Sequence, residues 1–193
     1  MSTRHLNTLV LSLAFALTVF IQNAGLAQTA AARTSVENPI PQVLPAALPN
    51  FHQVHPYLYR GGQPSSDGVE QLQKMGVKTV IDLRAETKST RAEKAHLEKL
   101  GLRYIDLPMS DKAPTTKQVD TFMQSVSEGR DKNEPVFVHC AHGSDRTGCM
   151  VGIWRVSEDG YTYDKAYKEM RKYYFGPKFV QLSGAVKKRA VKG

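Results

Sequence analysis

Along residues 51–178, short apolar runs alternate with longer segments whose apolar residues recur at helical spacing. The apolar runs predict buried strands over Tyr57–Arg60, Val77–Leu83, Leu102–Leu107 and residues 135–139. Strands that alternate with helices indicate a mainly parallel sheet with helices on both faces. We therefore predict a single α/β domain with a central sheet of about four to five strands.

Helix ends are marked by capping residues and by glycines. Ser65 or Ser66 precedes a helical pattern that Gly76 ends, and Ser89 or Thr90 precedes a second pattern that Gly101 ends. Later helices are predicted to follow Thr115, to run from Cys149 to about Glu158, and to begin at Asp164 as the last helix of the domain.

Both flanks of this domain differ from it in composition. Residues 1–27 combine basic Arg4, an apolar stretch from Leu9 to Ile21 and the small residues before Gln28, which predicts a signal peptide; the alternative is an uncleaved anchor. The proline-rich residues 28–50 are predicted to form a linker, and residues 179–193 a basic tail. We expect an exported protein, periplasmic or secreted, without stable membrane insertion after cleavage.

The charge balance favours an anionic substrate. The chain carries a formal net charge of +8 at pH 7, part of it in basic residues near its C-terminus. No segment interleaves aromatic and basic residues in the way that single-strand recognition requires, so we expect no nucleic-acid partner.

Residues 139–148 carry the strongest chemical signal. They follow the apolar run 135–139 and precede a helical pattern, so a strand leads through a tight loop into a helix N-terminus. Backbone N–H groups in such a loop converge on an oxyanion, and the helix dipole adds positive potential. Cys140 begins the loop, and Arg146 ends it with a planar fork that can bind two oxygens of one anion.

These residues suit thiolate attack on phosphorus. A helix N-terminus and a nearby cation favour the thiolate, so Cys140 is the expected nucleophile of a cysteinyl-phosphate mechanism. Thr147 is a candidate donor to that thiolate, and His139 is expected to order the loop from behind. The phosphate-binding set is predicted to be Ala141, His142, Gly143, Ser144, Asp145 and Arg146.

The pattern His-Cys-x-x-Gly-x-x-Arg-Thr-Gly resembles the Cys-x5-Arg phosphate loop of the cysteine-dependent protein tyrosine phosphatase superfamily, in particular its compact atypical dual-specificity phosphatases of plants, fungi and bacteria. Residues 57–64 and 80–84 also resemble motifs of that group, and the resemblance spans roughly residues 50–175. It implies a dual-specificity phosphatase-like fold and a hydrolase of phosphotyrosine or phosphoprotein. The alternative is an inositol polyphosphate phosphatase with the same mechanism; a thiol-redox or sulfurtransferase protein is the less favoured class.

Two aspartates compete for the role of general acid. Asp111 matches the acid loop of the family in position, although an ordinary surface turn would also place an aspartate there. Asp145 lies in the phosphate loop, where some bacterial relatives are thought to use an aspartate as the acid; its structural alternative is a helix N-terminal charge or a partner for Arg146. Pyrophosphate-cleaving members carry Lys-His where this chain has Ser144-Asp145, and that difference disfavours an inositol pyrophosphate substrate.

Cysteine usage leaves one further alternative. Cys140 and Cys149 could form a regulatory disulfide, whereas the favoured interpretation makes Cys149 a buried apolar residue. No metal site is expected, because the spacing of the histidines and cysteines does not match a zinc finger and a metal would occupy the nucleophile. No cofactor is expected either.

Overall fold

The computed structural model describes residues 45–190, so the predicted signal peptide, residues 28–44 of the predicted linker and residues 191–193 lie outside the described part. The strands are β1 (His52–His55), β2 (Leu58–Gly61), β3 (Thr79–Asp82), β4 (Arg103–Asp106) and β5 (Val136–His139). The helices are α1 (Ser66–Lys74), α2 (Lys88–Lys99), α3 (Thr116–Lys132), α4 (Asp145–Ser157), α5 (Tyr163–Lys172) and α6 (Val180–Ala190). None of the helices described is both long enough and apolar enough to cross a membrane.

The sheet has the order β1-β2-β5-β3-β4, with β1 antiparallel to β2 and every other neighbouring pair parallel. This confirms the predicted mainly parallel α/β sheet. His139 at the end of central β5 pairs with Gly61 of β2 and with Asp82 of β3. The carboxyl ends of three adjacent strands therefore meet, which is where such sheets bind ligands.

Alternating side chains of the sheet enter two separate hydrophobic cores. Tyr59, Val80 and Phe137 pack with apolar residues of α1 and α2, whereas Leu58, Ile81 and Val138 pack on the face covered by α3, α4, α5 and α6. All side chains of α4 from Thr147 to Trp154 are buried. Because α4 lies within this second core, the start of α4 is fixed relative to the end of β5.

The starts of α1, α2, α3 and α5 agree with the capping signals within a turn, whereas α4 begins at Asp145, four residues before the predicted Cys149. The Ser65 hydroxyl accepts a hydrogen bond from the Gly68 N–H at 3.2 Å, as an N-cap does. Helix α2 begins slightly earlier than predicted, because Thr87 and Thr90 form a reciprocal capping box. Gly76 and Gly101 end their helices with positive φ angles of 82° and 75°.

The folded domain extends beyond the predicted limits of residues 51–178 on both sides. Ala47 and Leu48 are buried, and the carbonyls of Ala47 and Pro49 accept hydrogen bonds from the chain that follows β2. Strand β1 was not predicted. The predicted basic tail contains α6, whose Leu182 and Val186 are fully buried against the core. Lys187 and Lys188 of α6 are exposed and Arg189 is partly exposed, and these adjacent basic residues make the apolar stripe of the helix hard to recognise in the sequence.

Removing the Leu182 side chain should therefore destabilise the domain. A buried leucine replaced by alanine costs about 2–5 kcal/mol in the free energy of unfolding. Leu182→Ala is expected to show that loss in urea-induced unfolding followed by circular dichroism. The matched control is Val180→Ala, since Val180 lies on the same helix and is 68% exposed. Equal stabilities of the two variants would show that α6 does not contribute to the core.

Candidate active site

Cys140 lies directly after β5, at the start of the loop that enters α4. Its side chain is buried, and the Gly143 N–H donates a hydrogen bond to its Sγ at 3.3 Å. The backbone of residues 140–144 therefore curves around the sulfur. This is the strand–loop–helix arrangement that the sequence predicts for a nucleophile within an anion-binding loop.

The carbonyl oxygens of residues 140–143 each accept a hydrogen bond from a residue outside the loop. The acceptor–donor pairs are Cys140 O with His139 Nδ1 (3.3 Å), Ala141 O with Gln63 N (3.1 Å), His142 O with Asn50 Nδ2 (3.2 Å) and Gly143 O with Arg60 Nη2 (2.7 Å). In a trans peptide the N–H is directed opposite to the C=O. The four donors therefore fix the directions of the N–H groups of residues 141–144.

The N–H groups of this loop are available to an anion. Within residues 45–190, those of Ala141, His142, Ser144 and Asp145 have no protein acceptor, and that of Gly143 is directed at the Cys140 sulfur. Asp145 begins α4, so the positive end of the helix dipole lies at the same point. Unsatisfied N–H groups at a helix N-terminus form a binding site for a tetrahedral oxyanion.

Gly143 is required by both conformation and space. Its φ angle is +72°, and a Cβ there would lie 2.4 Å from the carbonyl carbon of Gly61. The loop consequently packs directly on the end of β2. Any side chain at this position would push the loop away from the strand that carries Arg60.

Arg146 projects from the first turn of α4 towards two other loops. Its Nη1 donates to the carbonyl of Leu83 at 3.1 Å and to that of Met109 at 3.4 Å. The side chain borders a cleft of about 300 Å³ whose lining consists of Met109, Ser110, Asp111, His142, Asp145, Arg146, Phe179 and Leu182. The structure thus brings both candidate acids, His142 and Arg146 to one cleft beside the phosphate loop.

The two candidate acids differ in their hydrogen bonds. Asp145 Oδ1 accepts from the Gly176 N–H at 2.7 Å, and its Oδ2 accepts from the Ser144 hydroxyl at 3.0 Å. Asp145 therefore attaches the chain between α5 and α6 to the phosphate loop. The exposed Asp111 makes no side-chain hydrogen bond within the described chain, so its carboxyl is available to a ligand in the cleft.

A buried polar cluster lies behind His139. The Arg84 Nη2 donates to Asp82 Oδ2 and to Glu93 Oε2, at 2.6 Å each, and His139 Nε2 lies 2.9 Å from Glu93 Oε1. Burial would raise the pKa of Asp82, but hydrogen bonds from Arg84 and the nearby His139 lower it below its ordinary value. This cluster orients His139, whose other ring nitrogen donates to the Cys140 carbonyl.

Three members of this cluster have the chemistry of metal ligands. Atoms of Asp82, Glu93 and His139 lie within 4.8 Å of one another. The Arg84 guanidinium already donates to both carboxylates, so a cation entering there would meet a fixed positive charge. The group is better explained as an ion-paired support of the loop.

Thr147 and Cys149 have buried positions on α4. No hydrogen-bond partner of Thr147 Oγ1 exists among residues 45–190, so the predicted bond from this hydroxyl to the Cys140 sulfur is not formed. The Cys149 thiol donates to the Leu182 carbonyl at 3.3 Å, and burial raises its pKa to about 12. Both cysteines are free, and Cys149 has the environment of a structural residue.

Asn50 is a site residue that the sequence did not indicate. It lies within the predicted linker, has a φ angle of 50°, and reaches the loop carbonyl of His142 from a distant part of the chain. Asparagine tolerates this left-handed conformation, and the preceding Pro49 is a turn signal. These two features predict a turn, but they do not predict a contact with the phosphate loop.

The fold and the site together define a dual-specificity phosphatase-like α/β domain with a Cys-x5-Arg loop after its central strand. The family described as "DSP-PTPase phosphatase fused to NAD+ Kinase" matches residues 44–188, and the chain belongs to this family. That match confirms the resemblance noted in the sequence.

Individual relatives agree with this assignment. The chain is 29% identical over 127 residues to the dual specificity protein phosphatase TpbA of Pseudomonas aeruginosa, covering 66% of this chain and 56% of that protein. It is 30% identical over 114 residues to the inositol diphosphatase DSP5 of Arabidopsis thaliana, covering 55% and 53%. The crystal structure of P. aeruginosa TpbA superposes with a TM-score of 0.63 at 25% identity, covering 78% of this chain and 92% of that one. The chain spans about half the length of these two curated relatives.

Proposed function

We propose that the protein is a cysteine-dependent phosphatase that hydrolyses phosphomonoesters through a cysteinyl-phosphate intermediate. One observation carries the proposal: the carbonyls of residues 140–143 are all held by other groups, and the N–H groups around the Cys140 sulfur are left for an oxyanion. Arg146 and Asp111 border the same cleft. A nucleophile, an oxyanion site and an acid are the components that this chemistry needs.

The proposed reaction has two displacements at phosphorus. The Cys140 thiolate attacks, the S–P bond forms, and the bond from phosphorus to the ester oxygen breaks while Asp111 donates its proton to that oxygen. Water then attacks the cysteinyl-phosphate, Asp111 accepts a proton from the water, and the S–P bond breaks to release phosphate and the thiolate. The loop N–H groups and Arg146 stabilise the equatorial oxygens in both steps.

Phosphotyrosine in a protein is the proposed substrate, with inositol polyphosphates as the alternative. The cleft contains two carboxylates, Asp111 and Asp145, beside Arg146 and His142. Carboxylates at the rim disfavour a ligand with many phosphates, since like charges repel at close range. TpbA is named a dual specificity protein phosphatase and DSP5 an inositol diphosphatase, so the relatives support both classes. Export of the enzyme, on the signal-like residues 1–27, is part of the proposal.

Phosphate release from two substrates tests this function. The full chain, kept reduced, is incubated with a phosphotyrosyl peptide and, separately, with inositol hexakisphosphate, with the Cys140→Ser protein as the blank. Faster release from the peptide is expected. Faster release from the inositol phosphate would transfer the assignment to the alternative substrate, and no release above the blank from either would contradict both assignments.

Asp111→Asn is expected to slow phosphotyrosyl hydrolysis by about 10²-fold, because a positioned acid contributes about 10²–10⁴-fold and phenoxide is a comparatively good leaving group. The rate should fall less for an aryl phosphate whose leaving group needs no proton, such as para-nitrophenyl phosphate. Both rates are measured as kcat for the variant and the wild type.

Asp145→Asn is the matched comparison for Asp111→Asn. Its amide oxygen can still accept from the Gly176 N–H, so this variant should retain the anchor and most of the activity. The acid role would be assigned to Asp145 instead if kcat fell further in Asp145→Asn than in Asp111→Asn, and only for substrates with poor leaving groups.

A further inference from the structure

Arg60 is a buried arginine that forms no ion pair with a carboxylate among residues 45–190. It lies on β2 beside β5 and its side chain is 0% exposed. The one side-chain hydrogen bond that it forms within these residues runs from Nη2 to the Gly143 carbonyl at 2.7 Å. Within residues 45–190, its Nε and Nη1 have no hydrogen-bond partner and no carboxylate oxygen lies within 4.0 Å. The Tyr173 ring covers the guanidinium at 4.6 Å from the ring centroid.

Arg84, which is also buried, and the partly buried Arg155 are instead paired with carboxylates. Arg84 donates to Asp82 and Glu93, and Arg155 donates to Asp159 at 2.8 Å and to Glu169 at 3.1 Å. An isolated buried charge is costly unless an opposite charge compensates it. Burial lowers the pKa of Arg60 to about 10, which leaves the guanidinium protonated at neutral pH. Among the neighbouring charges Glu169 favours the protonated form most, but its carboxylate is bonded to Arg155 and not to Arg60.

The acceptor of Arg60 determines the direction of one peptide of the phosphate loop. Gly143 O belongs to the same peptide as Ser144 N, and no peptide bond within the described residues is cis. Arg60 therefore turns the Ser144 N–H away from itself, towards the opposite side of the loop. Ser144 is the N-cap position of α4, where its N–H has no partner within the helix.

The loop and β2 are in direct contact at this point. Gly143 lies so close to the Gly61 backbone that a Cβ would come within 2.5 Å of the Gly61 carbonyl oxygen and the Gly62 nitrogen. The charge of Arg60 also affects the neighbouring His52. Burial of the His52 ring lowers its pKa, and the positive charge of Arg60 lowers it further. The positive charge is thus placed directly beside the loop, next to the Gly143–Ser144 peptide.

We propose that Arg60 is a positioning residue of the phosphate loop. It fixes the Gly143–Ser144 peptide so that the Ser144 N–H faces the bound oxyanion. The negative charge of that oxyanion in turn compensates the buried positive charge of Arg60. This inference rests on the proposed function for its biological meaning. Arg60 does not touch the substrate. It acts through the main chain of the loop, whereas Arg146 borders the cleft itself.

Binding of tungstate, a tetrahedral oxyanion, tests the proposal without turnover. Isothermal titration is carried out on the full chain in the Cys140→Ser background, with and without Arg60→Met. Loss of one charge-assisted contact to the loop is expected to weaken tungstate binding at least ten-fold. The control is Arg91→Met, which removes an exposed arginine whose partner Glu86 is also exposed and should change the tungstate affinity less than two-fold.

Arg60→Lys keeps the charge and removes the planar fork, so it should recover part of the tungstate affinity. Thermal unfolding of every variant shows whether it is folded, and Arg60→Lys replaces Arg60→Met if the latter does not fold. The inference would be overturned if the tungstate affinity of Arg60→Met equalled that of the Arg91→Met control. If Arg60→Met does not fold, the same comparison is made with Arg60→Lys. Phosphate release is measured separately on the chain with Cys140 intact. If tungstate binding depends on Arg60 but this chain releases no phosphate, the proposed function is contradicted. The positioning role of Arg60 would then still stand.

Discussion

Cys140→Ser is expected to reduce phosphate release from a phosphotyrosyl peptide by at least about 10⁴-fold, because a serine hydroxyl stays protonated at neutral pH where a thiolate forms. The loop amides would still be held by Asn50, Gln63 and Arg60, so the variant should bind oxyanions. The measurement is kcat/KM beside a tungstate titration of the same protein. Loss of turnover with retained binding separates a chemical role of the sulfur from a structural one.

Cys149→Ser is the control for this experiment. The Cys149 side chain is buried and its thiol donates to the Leu182 carbonyl, a bond that a serine hydroxyl can also make. Its phosphate release should stay close to that of the wild type. Residual turnover in Cys140→Ser above about a tenth of the wild-type rate would exclude a cysteinyl-phosphate mechanism, since removal of a nucleophile costs far more than that.

Arg146→Met is expected to lower kcat/KM by about 10³-fold, because arginines that stabilise a transferring phosphoryl group contribute on that scale. Arg146→Lys should recover only a part, since a lysine supplies the charge but not two parallel donors. Arg146 also donates to the carbonyls of Leu83 and Met109, and the second of these belongs to the loop that carries Asp111. Its loss should therefore affect the position of the acid as well.

Two comparisons make this result interpretable. Arg91→Met removes an exposed arginine whose carboxylate partner, Glu86, is also exposed, so its kcat/KM should be unchanged. Combining Arg146→Met with Asp111→Asn should cost less than the two separate losses multiplied together, because the two side chains act in one transition state. A full multiplication of the losses would show that Arg146 and Asp111 act independently, and a kcat/KM within about ten-fold of the wild type in Arg146→Met would exclude the stabilising role.

The sequence predicts the centre of this molecule well because the signals there are local. The apolar run before His139, the cysteine, the arginine and the helix that follows are contiguous, and the structure places them as β5, loop and α4. The mainly parallel sheet follows from the alternation of strands and helices. Asp111 reaches the same cleft because β4 lies next to β3, two strands from β5, and leads into the loop that Arg146 contacts.

The parts that the sequence does not predict depend on contacts between distant segments. Asn50 donates to the His142 carbonyl, 92 residues further along the chain. The residues around Asn50 in the sequence do not indicate this partner. Helix α6 follows a Gly-Pro pair and is rich in lysine, so its buried Leu182 and Val186 become apparent only when α4 is in place. Thr147 is buried on α4 and its hydroxyl has no hydrogen-bond partner within residues 45–190, which its proximity to Cys140 in the chain does not reveal.

The hydrogen bonds to four consecutive loop carbonyls have a consequence for how the sequence of such a protein can evolve. The anion-binding groups are main-chain atoms, so the side chains at Ala141, His142 and Ser144 are not themselves needed to present them. Inheritable variation at those three positions can alter the rim of the cleft, and hence the preferred phosphorylated compound, while the capacity for phosphate chemistry persists. On the proposed roles, the evolutionary constraint falls instead on Gly143, which admits no side chain, and on Arg60, which lies outside the Cys-x5-Arg loop itself.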